Sequence, residues 1–504
     1  MKNTQAICGW SDGYRTTVLC IILLFPIQFL AQGINSLWCM GYANPNGTPF
    51  GGFDLDFNSG ILTISTTNRK INYGDVSATI CDSSGSMLFS SNGAFIVNAL
   101  GDTMMNGSGL SPSYYTNNHL GSGLWIPQSV IIIPKPGSST NYYLVHGTVD
   151  DSVLFAHHLY YSEVDLSLAG GLGSVISKNN SLLNDTLIAG GITAVKHANG
   201  RDWWLVNHQA KTNKIYIFLI DPSGINLFST DTIGDIRQHV NGQSCFSPNG
   251  NKFAIYDPRN DLDIMDFDRC SGIFSNCIHV SINDSAAGGG VAFSANSKVL
   301  YVSSTVYVYQ FNMVAPDIAL SKTTVAVWDT NYSPSPPAAT TFYQSHLAPD
   351  NKIYICCTNG TLDIHVIDYP DSIGMACHVC QHCVHLPRYN ATTMVNHPNY
   401  FLGATHGSVC DSLTSGVSNI LSSAQSFSLF PNPTRNIIYL TQSNKDLIRS
   451  LHVYNSIGQD QSVIYSSIKS GEYIEVNTSS LSSGVYFLEM ISERQKVVKK
   501  FVKE

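Results

Sequence analysis

Phe246-Ser247-Pro248-Asn249-Gly250, followed two residues later by Phe253-Ala254-Ile255-Tyr256, is the pattern around which this chain is organised. A small polar turn leads into an apolar strand, because Pro, Asn and Gly favour turns while aromatic and β-branched residues favour strands. Five further copies of this turn–strand unit begin at Asp82, Pro134, Lys196, Phe293 and Leu347.

The spacing of these copies predicts the fold. Equivalent turn positions are Asp82, Lys135, His197, Ser247, Ser294 and Ala348, which are 53, 62, 50, 47 and 54 residues apart. A period near 50 residues is typical of a β-propeller, in which sheets arranged around an axis bury one another's faces. The 370 residues from Trp38 to Gly407 hold about seven such repeats, and six or eight are also compatible. We therefore predict an all-β fold with a propeller of about seven blades.

Closure of the propeller requires its two ends to meet. Phe53, Leu55 and Phe57 alternate with aspartates, which is the pattern of a half-buried strand. We predict that this early strand completes the blade that contains the chain after Ile364.

The charge balance argues against nucleic acid as a partner. Between Gly33 and Ser426 there are 16 basic and 27 acidic residues, a net charge of −11, whereas nucleic-acid binding needs a basic face. Glu163 is the single glutamate among those acids. Because Asp favours turns and Glu favours helices, this skew predicts many turns and few helices.

The last 78 residues, Phe427 to Glu504, have a pattern of their own. Apolar residues alternate with polar ones in 437–440 and 451–453, and turn residues occupy 431–433, 456–459 and 482–484. We predict a small, Ig-like antiparallel β-sandwich of about seven strands.

These C-terminal segments resemble the type A sorting domain of the type IX secretion system of Bacteroidota. That family has an F/Y-P-N-P start, a V-Y-N-x-x-G-Q turn, an L-x-x-G-V-Y hairpin and a Lys-rich last strand. The matching residues are Pro431, Asn432, Pro433, Tyr454, Gly458, Gln459, Gly484, Val485, Tyr486, Lys499 and Lys500. The resemblance implies that the type IX machinery is a partner and that the protein is released or displayed on the outer cell surface. An ordinary Ig-like accessory domain is the alternative interpretation.

The central part resembles a Bacteroidota family of secreted WD40-like or YVTN-like propellers that carry this tail. The resemblance lies in Ser129–Gly137, His197–Trp204, Asp266–Arg269, Leu347–Tyr354 and Pro398–Gly403. It implies the propeller fold and no agreed activity.

The N-terminus has the layout of a signal peptide. Basic Lys2 and Arg15 precede an apolar run, Val18–Ala31, which at about 14 residues is short for a transmembrane anchor. We predict a signal peptide (1–32) for Sec export, a propeller (33–411), a Ser-rich linker (412–426) and the sorting domain (427–504). No transmembrane anchor is expected after signal removal.

Eleven cysteines remain after residue 32, an odd number that leaves at least one thiol unpaired within the chain. Cys270 and Cys277 are close enough in sequence to close a small disulfide loop. Cys377, Cys380 and Cys383, interleaved with histidines, carry donors that zinc, copper or iron prefer. The second, distant ligand pair of a structural zinc site is missing, so disulfides are the simpler use of these cysteines. We predict no metal and no cofactor.

Three other clusters have a functional and a structural interpretation. Clustered carboxylates suit calcium, but no EF-hand spacing is present and a strand is the simpler interpretation. The carboxylates are Asp257, Asp261, Asp263, Asp266 and Asp268. Four histidines could converge in a propeller centre or serve turns and strands; they are His157, His158, His197 and His208. Trp203-Trp204 is interpreted as a central-strand pair, with sugar stacking as the alternative.

No G-x-S-x-G, H-E-x-x-H, P-loop or Rossmann motif is present. The first functional hypothesis is an interaction module that binds an unidentified protein or glycan. The second is an extracellular hydrolase or lyase acting on polysaccharide or peptide, and the third is a structural surface component. Converging Asp, His and Arg side chains in the central mouth would favour the enzyme, and a small or apolar lining would favour binding.

Overall fold

The computed structural model of this chain describes residues 33–43, 49–150, 155–238, 242–334, 337–411, 427–442, 448–455, 459–461, 463–465, 473–492 and 496–504. The predicted signal peptide, the predicted linker and Gly458 lie outside these residues. The chain divides into two compact units. The first contains the described residues up to Val195 with Trp204–Asp268 and Ile273–Phe401, and the second contains Lys196–Trp203, Arg269–Gly272 and the described residues from Leu402 onward.

Seven sheets of three or four strands follow one another along the described chain up to Val395. The first is β1 (Leu37–Gly41), β2 (Gly52–Asp56) and β3 (Thr63–Thr67); the second begins with β4 (Val76–Cys81), β5 (Met87–Ser91) and β6 (Ile96–Asn98). A short helix, α1 (Tyr114–His119), is capped by the Ser113 hydroxyl, which accepts a hydrogen bond from the Thr116 amide.

The third sheet is β7 (Val130–Pro134), β8 (Asn141–Gly147), β9 (Phe155–Asp165) and β10 (Ser174–Ile188). The fourth is β11 (Thr193–Lys196), β12 (Trp203–His208), β13 (Thr212–Asp221) and β14 (Gly224–Arg237). The fifth is β15 (Gln243–Phe246), β16 (Lys252–Asp257), β17 (Asp261–Asp268) and β18 (Ile273–Val280).

The sixth sheet is β19 (Gly289–Phe293), β20 (Val299–Ser304), β21 (Tyr307–Asn312) and β22 (Thr323–Val327). A two-stranded ribbon, β23 (Tyr332–Ser333) and β24 (Ala338–Ala339), precedes the seventh sheet. That sheet is β25 (Phe342–Leu347), β26 (Ile353–Cys357), β27 (Thr361–Ile367) and β28 (Val379–Asn390), and β29 (Met394–Val395) follows it. Single 3-10 turns lie at Gly33–Asn35, Ala169–Gly171, Ala319–Ser321 and Gly374–Cys377.

Each of the six predicted turns has the same kind of main-chain hydrogen bond, which links two consecutive strands of a sheet. The amide of the turn residue donates to a carbonyl four to six positions further on. The pairs are Asp82 to Ser86, Lys135 to Asn141, His197 to Asp202, Ser247 to Lys252, Ser294 to Val299 and Ala348 to Lys352, at 2.8–3.0 Å. The sequence repeat is therefore a structural repeat.

Neighbouring sheets pack face to face around a common axis. The first strands contact one another in the series β1–β4–β7 and again in β15–β19–β25. One shared core joins Tyr256 and Ile264 of the fifth sheet to Val291, Leu300 and Phe311 of the sixth. Consecutive antiparallel sheets with such faces form a β-propeller, as the repeat predicts.

Closure of the propeller differs from the prediction. β2 pairs with β1 and β3 instead of joining the sheet that contains Ile364 and the chain after it. It only packs against that sheet, in a core that includes Phe53, Leu55 and Ile364. The closing strand is β29, which pairs parallel with β4 through Met394 opposite Val76. The prediction was wrong because long-range strand pairing leaves no local sequence pattern.

The second unit contains the C-terminal sheets. One is β30 (Phe427–Phe430), β31 (Ile437–Gln442), β35 (Tyr473–Asn477) and β34 (Ile464–Tyr465), in that order. The other is β33 (Asp460–Gln461), β32 (Ile448–Asn455), β36 (Gly484–Ser492) and β37 (Lys496–Lys503), in that order. Their inner faces share a core that includes Ile438, Val476, Val453, Leu488 and Phe501, so the predicted sandwich has two four-stranded sheets.

Candidate functional site

Buried amide side chains join the first strands of different sheets in the propeller. Gln243 Oε1 accepts hydrogen bonds from the amides of Val291 (3.3 Å) and Ser345 (2.8 Å). Gln344 Nε2 donates to the carbonyl of Asp75 (2.9 Å). A Cβ on Gly290 would lie 2.3 Å from Gln243 Oε1 and 2.6 Å from the Ser345 nitrogen, so only glycine fits beneath this contact.

Gln128 and Asn396 make similar bridges to other strands. Gln128 donates to the Ser244 carbonyl (2.9 Å) and accepts from the Ser244 amide (2.8 Å). Asn396 Nδ2 donates to the carbonyls of Val130 (3.0 Å) and Ile192 (2.9 Å). We call Gln128, Gln243, Gln344 and Asn396 the amide belt; it pairs inner-edge main-chain groups that would otherwise be buried without partners.

The chain after β28 runs along the axis. In this axial segment, residues 391–401, the Asn396 amide donates to the Ser77 carbonyl (2.9 Å). Asn399 Nδ2 donates to the Pro248 carbonyl (2.9 Å), and the Tyr400 hydroxyl donates to the Ile132 carbonyl (2.8 Å). The segment therefore contacts three different sheets and fills part of the centre.

A cavity of about 300 Å³ lies beside the amide belt. It is lined by β11, β15, β19 and β25, by the turns that follow three of these strands, and by the axial segment. Phe246, Phe293, Leu347 and Phe401 contribute apolar walls. Among the described lining residues there is no Asp, Glu, Lys or Arg.

Two histidines face this cavity. Burial lowers the pKa of His346 to about 4. Burial and the neighbouring His346 lower the pKa of His397 to about 3, and a main-chain contact with Thr79 only partly opposes the shift. Both rings are therefore neutral at neutral pH. His397 is 7% exposed, and neither ring nitrogen makes a hydrogen bond of acceptable geometry within the protein.

Sequence reasoning missed Asn35, Ser345, His346, His397 and the amide belt. A signal was nevertheless present. The dipeptide Gln-Ser recurs at Gln128–Ser129, Gln243–Ser244 and Gln344–Ser345, at or beside the first strand of three sheets.

The cysteines pair differently from the prediction. Cys270 forms a disulfide with Cys410, 140 residues away, and Cys277 is unpaired, which corrects the predicted Cys270–Cys277 loop. Beside this disulfide, Arg269 donates hydrogen bonds to the carbonyls of Lys196 (2.8 Å) and Gly403 (2.6 Å). The Cys270–Cys410 disulfide and the Arg269 guanidinium together hold the segment after Phe401 within the second unit.

The Cys377–Cys383 cluster is divided. Cys380 and Cys383 form a disulfide on β28, so their sulfurs carry no thiolate for a metal. Cys377 is buried, and burial raises the pKa of its thiol. No group of three His, Cys, Asp or Glu in the described part of the chain is arranged to hold a metal ion.

The candidate calcium ligands on β17 have separate partners. Asp263 forms a buried ion pair with Arg237 (2.6 Å), and Asp266 pairs with Lys252 (2.6 Å). Burial alone would raise the pKa of Asp263, but the Arg237 charge and several hydrogen bonds hold it below its usual value. Asp261 accepts a hydrogen bond from the Ile282 amide (3.0 Å). These carboxylates therefore stabilise strands and turns.

The histidines singled out in the sequence do not share one site in the first unit. His158 bonds Asn184 of the outer strand β10 (2.7 Å), whereas buried His208 stacks on Phe253 of β16. Burial lowers the pKa of His208 to about 3. His197 belongs to the second unit, where its amide closes the turn with Asp202.

Both tryptophans of β12 are buried at 1% exposure, which leaves no ring face for a sugar. Trp204 packs on Phe228 and reaches Phe267 of the next sheet, with centroids 4.9 and 6.5 Å away. Within the second unit, Lys196 Nζ lies 4.2 Å from the ring centroid of Trp203. The two tryptophans therefore pack on a central strand, as the structural interpretation of this pair predicts.

The sorting-motif residues interlock in the C-terminal sandwich. Asn432 Nδ2 donates to the Lys500 carbonyl (3.2 Å), and Asn432 Oδ1 accepts from the Val502 amide (2.9 Å). The Tyr486 hydroxyl donates to the Ser482 carbonyl (2.9 Å). Lys499 and Lys500 are exposed. The amide of Asn432 thus continues the ladder of the last strand, which joins the start of the motif to its end.

Comparison with solved structures assigns no function to this chain. The chain is similar to a functionally unknown protein from Desulfotomaculum acetoxidans, with 13% identity, coverage of 69% of this chain and 96% of that chain, and a TM-score of 0.39. Sqt1 of Chaetomium thermophilum, solved bound to the N-terminus of a ribosomal protein, shares 14% identity over 66% and 82% of the two chains, with a TM-score of 0.37. The Dos1 propeller shares 12% identity over 61% and 70%, with a TM-score of 0.36. No protein of curated function matches the chain.

Residues 428–504 match the family described as the secretion system C-terminal sorting domain. Within the described residues, no helix has the length and apolar character needed to cross a membrane. The chain therefore carries a C-terminal sorting domain of the type IX secretion system, which directs export to the cell surface or the medium.

Proposed function

We propose that the exported propeller is an interaction module that binds a protein or glycan ligand at its central cavity. The observation that carries this proposal is the uncharged lining of the cavity, built from aromatic and aliphatic walls, amides and hydroxyls. Ligand sites are usually concave and largely apolar, with a few polar groups that orient the ligand. The cavity is also central to the fold, because the first strands of four sheets contribute to it.

The same lining supports binding over hydrolysis or elimination. Glycoside hydrolysis commonly uses two carboxyl groups, and other hydrolases use an activated nucleophile or a metal-bound water. The titratable groups at this cavity are His346, His397 and Cys245. Burial raises the pKa of Cys245 to about 12, so this thiol is protonated at neutral pH and is a poor nucleophile.

We further propose the domain plan that the sequence predicts. A signal peptide (1–32) directs passage across the inner membrane, the propeller (33–411) is the working part, and a linker (412–426) leads to the sorting domain (427–504). Sandwich strands that begin at Phe427 support the last boundary. Type IX export, with the secretion machinery as partner, would place the propeller outside the cell.

The proposal is tested with the exported protein purified from its host and applied to glycan and peptide arrays. Phe401, which is 41% exposed, lines the cavity, so Phe401→Ala should weaken the recognised interaction. Tyr114→Ala is the control, because that aromatic ring is 83% exposed on α1 and does not line the cavity. Equal loss in both variants, or no recognised array component, would contradict the proposal. Release of reducing ends or new amino termini by the wild type, abolished by His397→Phe, would favour the hydrolase or lyase instead.

A further inference from the structure

We propose that the Cys380–Cys383 disulfide is a redox-active pair, which oxidises a dithiol on another protein chain by thiol–disulfide exchange. The bond joins two cysteines of β28 that are separated by Gln381 and His382. Two cysteines with two residues between them form the reactive centre of many disulfide oxidoreductases. Neither cysteine lines the central cavity, so this proposal does not depend on the ligand proposed for that cavity.

Access to the disulfide is the first requirement, since exchange begins when a thiolate attacks one of its sulfurs. Cys383 is exposed and Cys380 is half-buried, on the edge strand of the seventh sheet. We therefore expect attack at Cys383, with Cys380 as the leaving group. An open strand edge suits a protein chain as the partner, because a small molecule is usually held in a concave site.

Strand pairing continues on both sides of the disulfide. Val366 of β27 lies opposite Cys380, and Ile364 lies opposite Val384. Between these two pairs, three residues of β28 face His365 alone, so β28 bulges there. The disulfide spans the bulge. Reduction should therefore leave β28 paired with β27 and keep the two thiols close enough to form the bond again.

Hydrogen bonds hold the bulge independently of the disulfide. Gln381 Nε2 donates to the Val327 carbonyl (2.8 Å), and Gln381 Oε1 accepts from the Asp329 amide (3.2 Å). The Asp329 carboxylate accepts from His382 Nε2 (2.7 Å), and the His382 amide donates to His365 Nδ1 (2.9 Å). The residues between the cysteines are thus positioned by four contacts that do not involve sulfur.

Stability gives this disulfide little purpose. A disulfide stabilises a protein mainly by restricting the unfolded chain, and the restriction grows with the length of the closed loop. Cys380 and Cys383 are three positions apart, whereas Cys270 and Cys410 are 140 positions apart. The longer bond is therefore the one suited to holding the fold, and the shorter bond is suited to opening and closing.

The two thiols of the substrate balance the reaction. One substrate thiolate attacks Cys383, the S–S bond breaks, and Cys380 leaves as a thiolate that takes up a proton. The second substrate thiolate then attacks the substrate sulfur of this mixed disulfide and releases Cys383. The net transfer is two electrons and two protons from the substrate, which gains a disulfide. A small disulfide, such as oxidised glutathione, returns the pair to its oxidised state by the reverse exchange.

The third cysteine of the cluster does not compete in this exchange. Cys377 is buried, and burial raises the pKa of its thiol. It is therefore protonated at neutral pH and is a poor nucleophile.

The first test measures which disulfide opens first in the exported protein. Free thiols are blocked with N-ethylmaleimide, dithiothreitol is added, and new thiols are alkylated with iodoacetamide and mapped at intervals. Cys380 and Cys383 should be labelled about tenfold faster than Cys270 and Cys410, because exposed disulfides are the labile ones. Equal rates, or faster opening of the Cys270–Cys410 bond, would overturn the proposal.

The second test measures transfer to another chain. Reduced, unfolded ribonuclease A is the protein dithiol, its recovered activity is the readout, and oxidised glutathione is the terminal oxidant. The wild-type protein should speed recovery about fivefold over glutathione alone. The double variant Cys380→Ser, Cys383→Ser should not. Cys277→Ser is the matched control and should keep the wild-type rate, because Cys277 is unpaired.

Melting temperature separates this activity from a structural role. The double variant keeps the strand pairs and the hydrogen bonds of the bulge, so it should melt close to the wild type. A large fall in its melting temperature, together with ribonuclease recovery that the wild type does not accelerate, would show that the bond is structural and would overturn the proposal.

Discussion

The imidazole rings of His346 and His397 meet edge to face beside the central cavity, with centroids 5.9 Å apart. Their pKa values are lowered to about 4 and about 3, and burial is the main cause. Both rings are therefore neutral at neutral pH. Similar burial lowers the pKa of other histidines of the propeller.

Stability should fall as the medium is acidified. Burial lowers the pKa of five histidines to between about 3 and 4; they are His146, His208, His346, His365 and His397. Between the ordinary value of 6.5 and these values, the unfolded chain binds a proton at each ring and the native chain does not. Stability is therefore lost as pH falls through this window, by about 1.4 kcal/mol per pH unit per histidine.

Asp75 opposes part of this effect. Burial raises its pKa to about 7, so its native state binds a proton that the unfolded state lacks and stability rises on acidification. The effect of this one carboxyl offsets that of about one histidine. The net stability of the protein should therefore still fall as the pH falls. Melting temperatures at neutral pH and at about pH 5 check this. His397→Phe should flatten the dependence, whereas exposed His406→Gln should not; a higher melting temperature in acid would contradict the prediction.

Removal of one amide-belt side chain should destabilise the propeller. Gln243→Ala leaves the buried amides of Val291 and Ser345 without an acceptor, at a cost of about 2–4 kcal/mol in the free energy of unfolding. Urea unfolding followed by tryptophan fluorescence measures this. Gln238→Ala, on an exposed side chain, is the control. Equal stability of the two variants would show that the belt does not hold the sheets together.

The Cys270–Cys410 disulfide gives a prediction that separates it from the pairing expected from sequence. Cys410→Ser should lower stability by about 2–5 kcal/mol, because the bond closes a loop across 140 positions. It should also speed proteolysis near residue 410. Cys277→Ser should have neither effect, since Cys277 is unpaired. Peptide mapping without reduction identifies the bond, and a linked 270–277 peptide would refute the assignment.

Asp263 should act as a structural ion-pair partner instead of a calcium ligand. Asp263→Asn leaves Arg237 charged and buried at 1% exposure, which should cost about 3–5 kcal/mol. The control, Asp102→Asn, breaks an exposed pair with Lys70 and should cost less than about 1 kcal/mol. Differential scanning calorimetry with calcium or a chelator completes the test. A calcium-dependent rise in wild-type stability that Asp263→Asn abolishes would reverse the interpretation.

The proline-flanked turn should matter for export through the last strand. Asn432→Ala removes two hydrogen bonds to that strand and should lower the stability of the sorting domain by about 1–2 kcal/mol. We expect less exported protein and more retained full-length chain in fractionated cells. Asn436→Ala, at an exposed side chain in the same turn region, is the matched control. Equal export of both variants would exclude a role for this contact.

Local sequence patterns identified much of this protein. The turn–strand units at Ser247, Ser294 and Ala348 were predictable because a turn and the strand after it are determined within about ten residues. The tail was recognisable for the same reason, since its motifs are short and lie in a set order. The cavity residues were not recognised, because nothing in the neighbourhood of Ser345 or His397 shows which atoms lack partners.

By itself, the sequence determined the repeated β architecture, the net negative charge and the sorting tail. Tertiary structure alone decided which strand closes the propeller, which cysteine pairs with Cys270, and which polar atoms meet at the axis. These depend on residues such as Ser77 and Asn396, or Cys270 and Cys410, that lie 140 or more positions apart and meet only when the sheets pack. Neighbouring residues record turn and strand preference, whereas contacts at long range are set by how the whole chain packs.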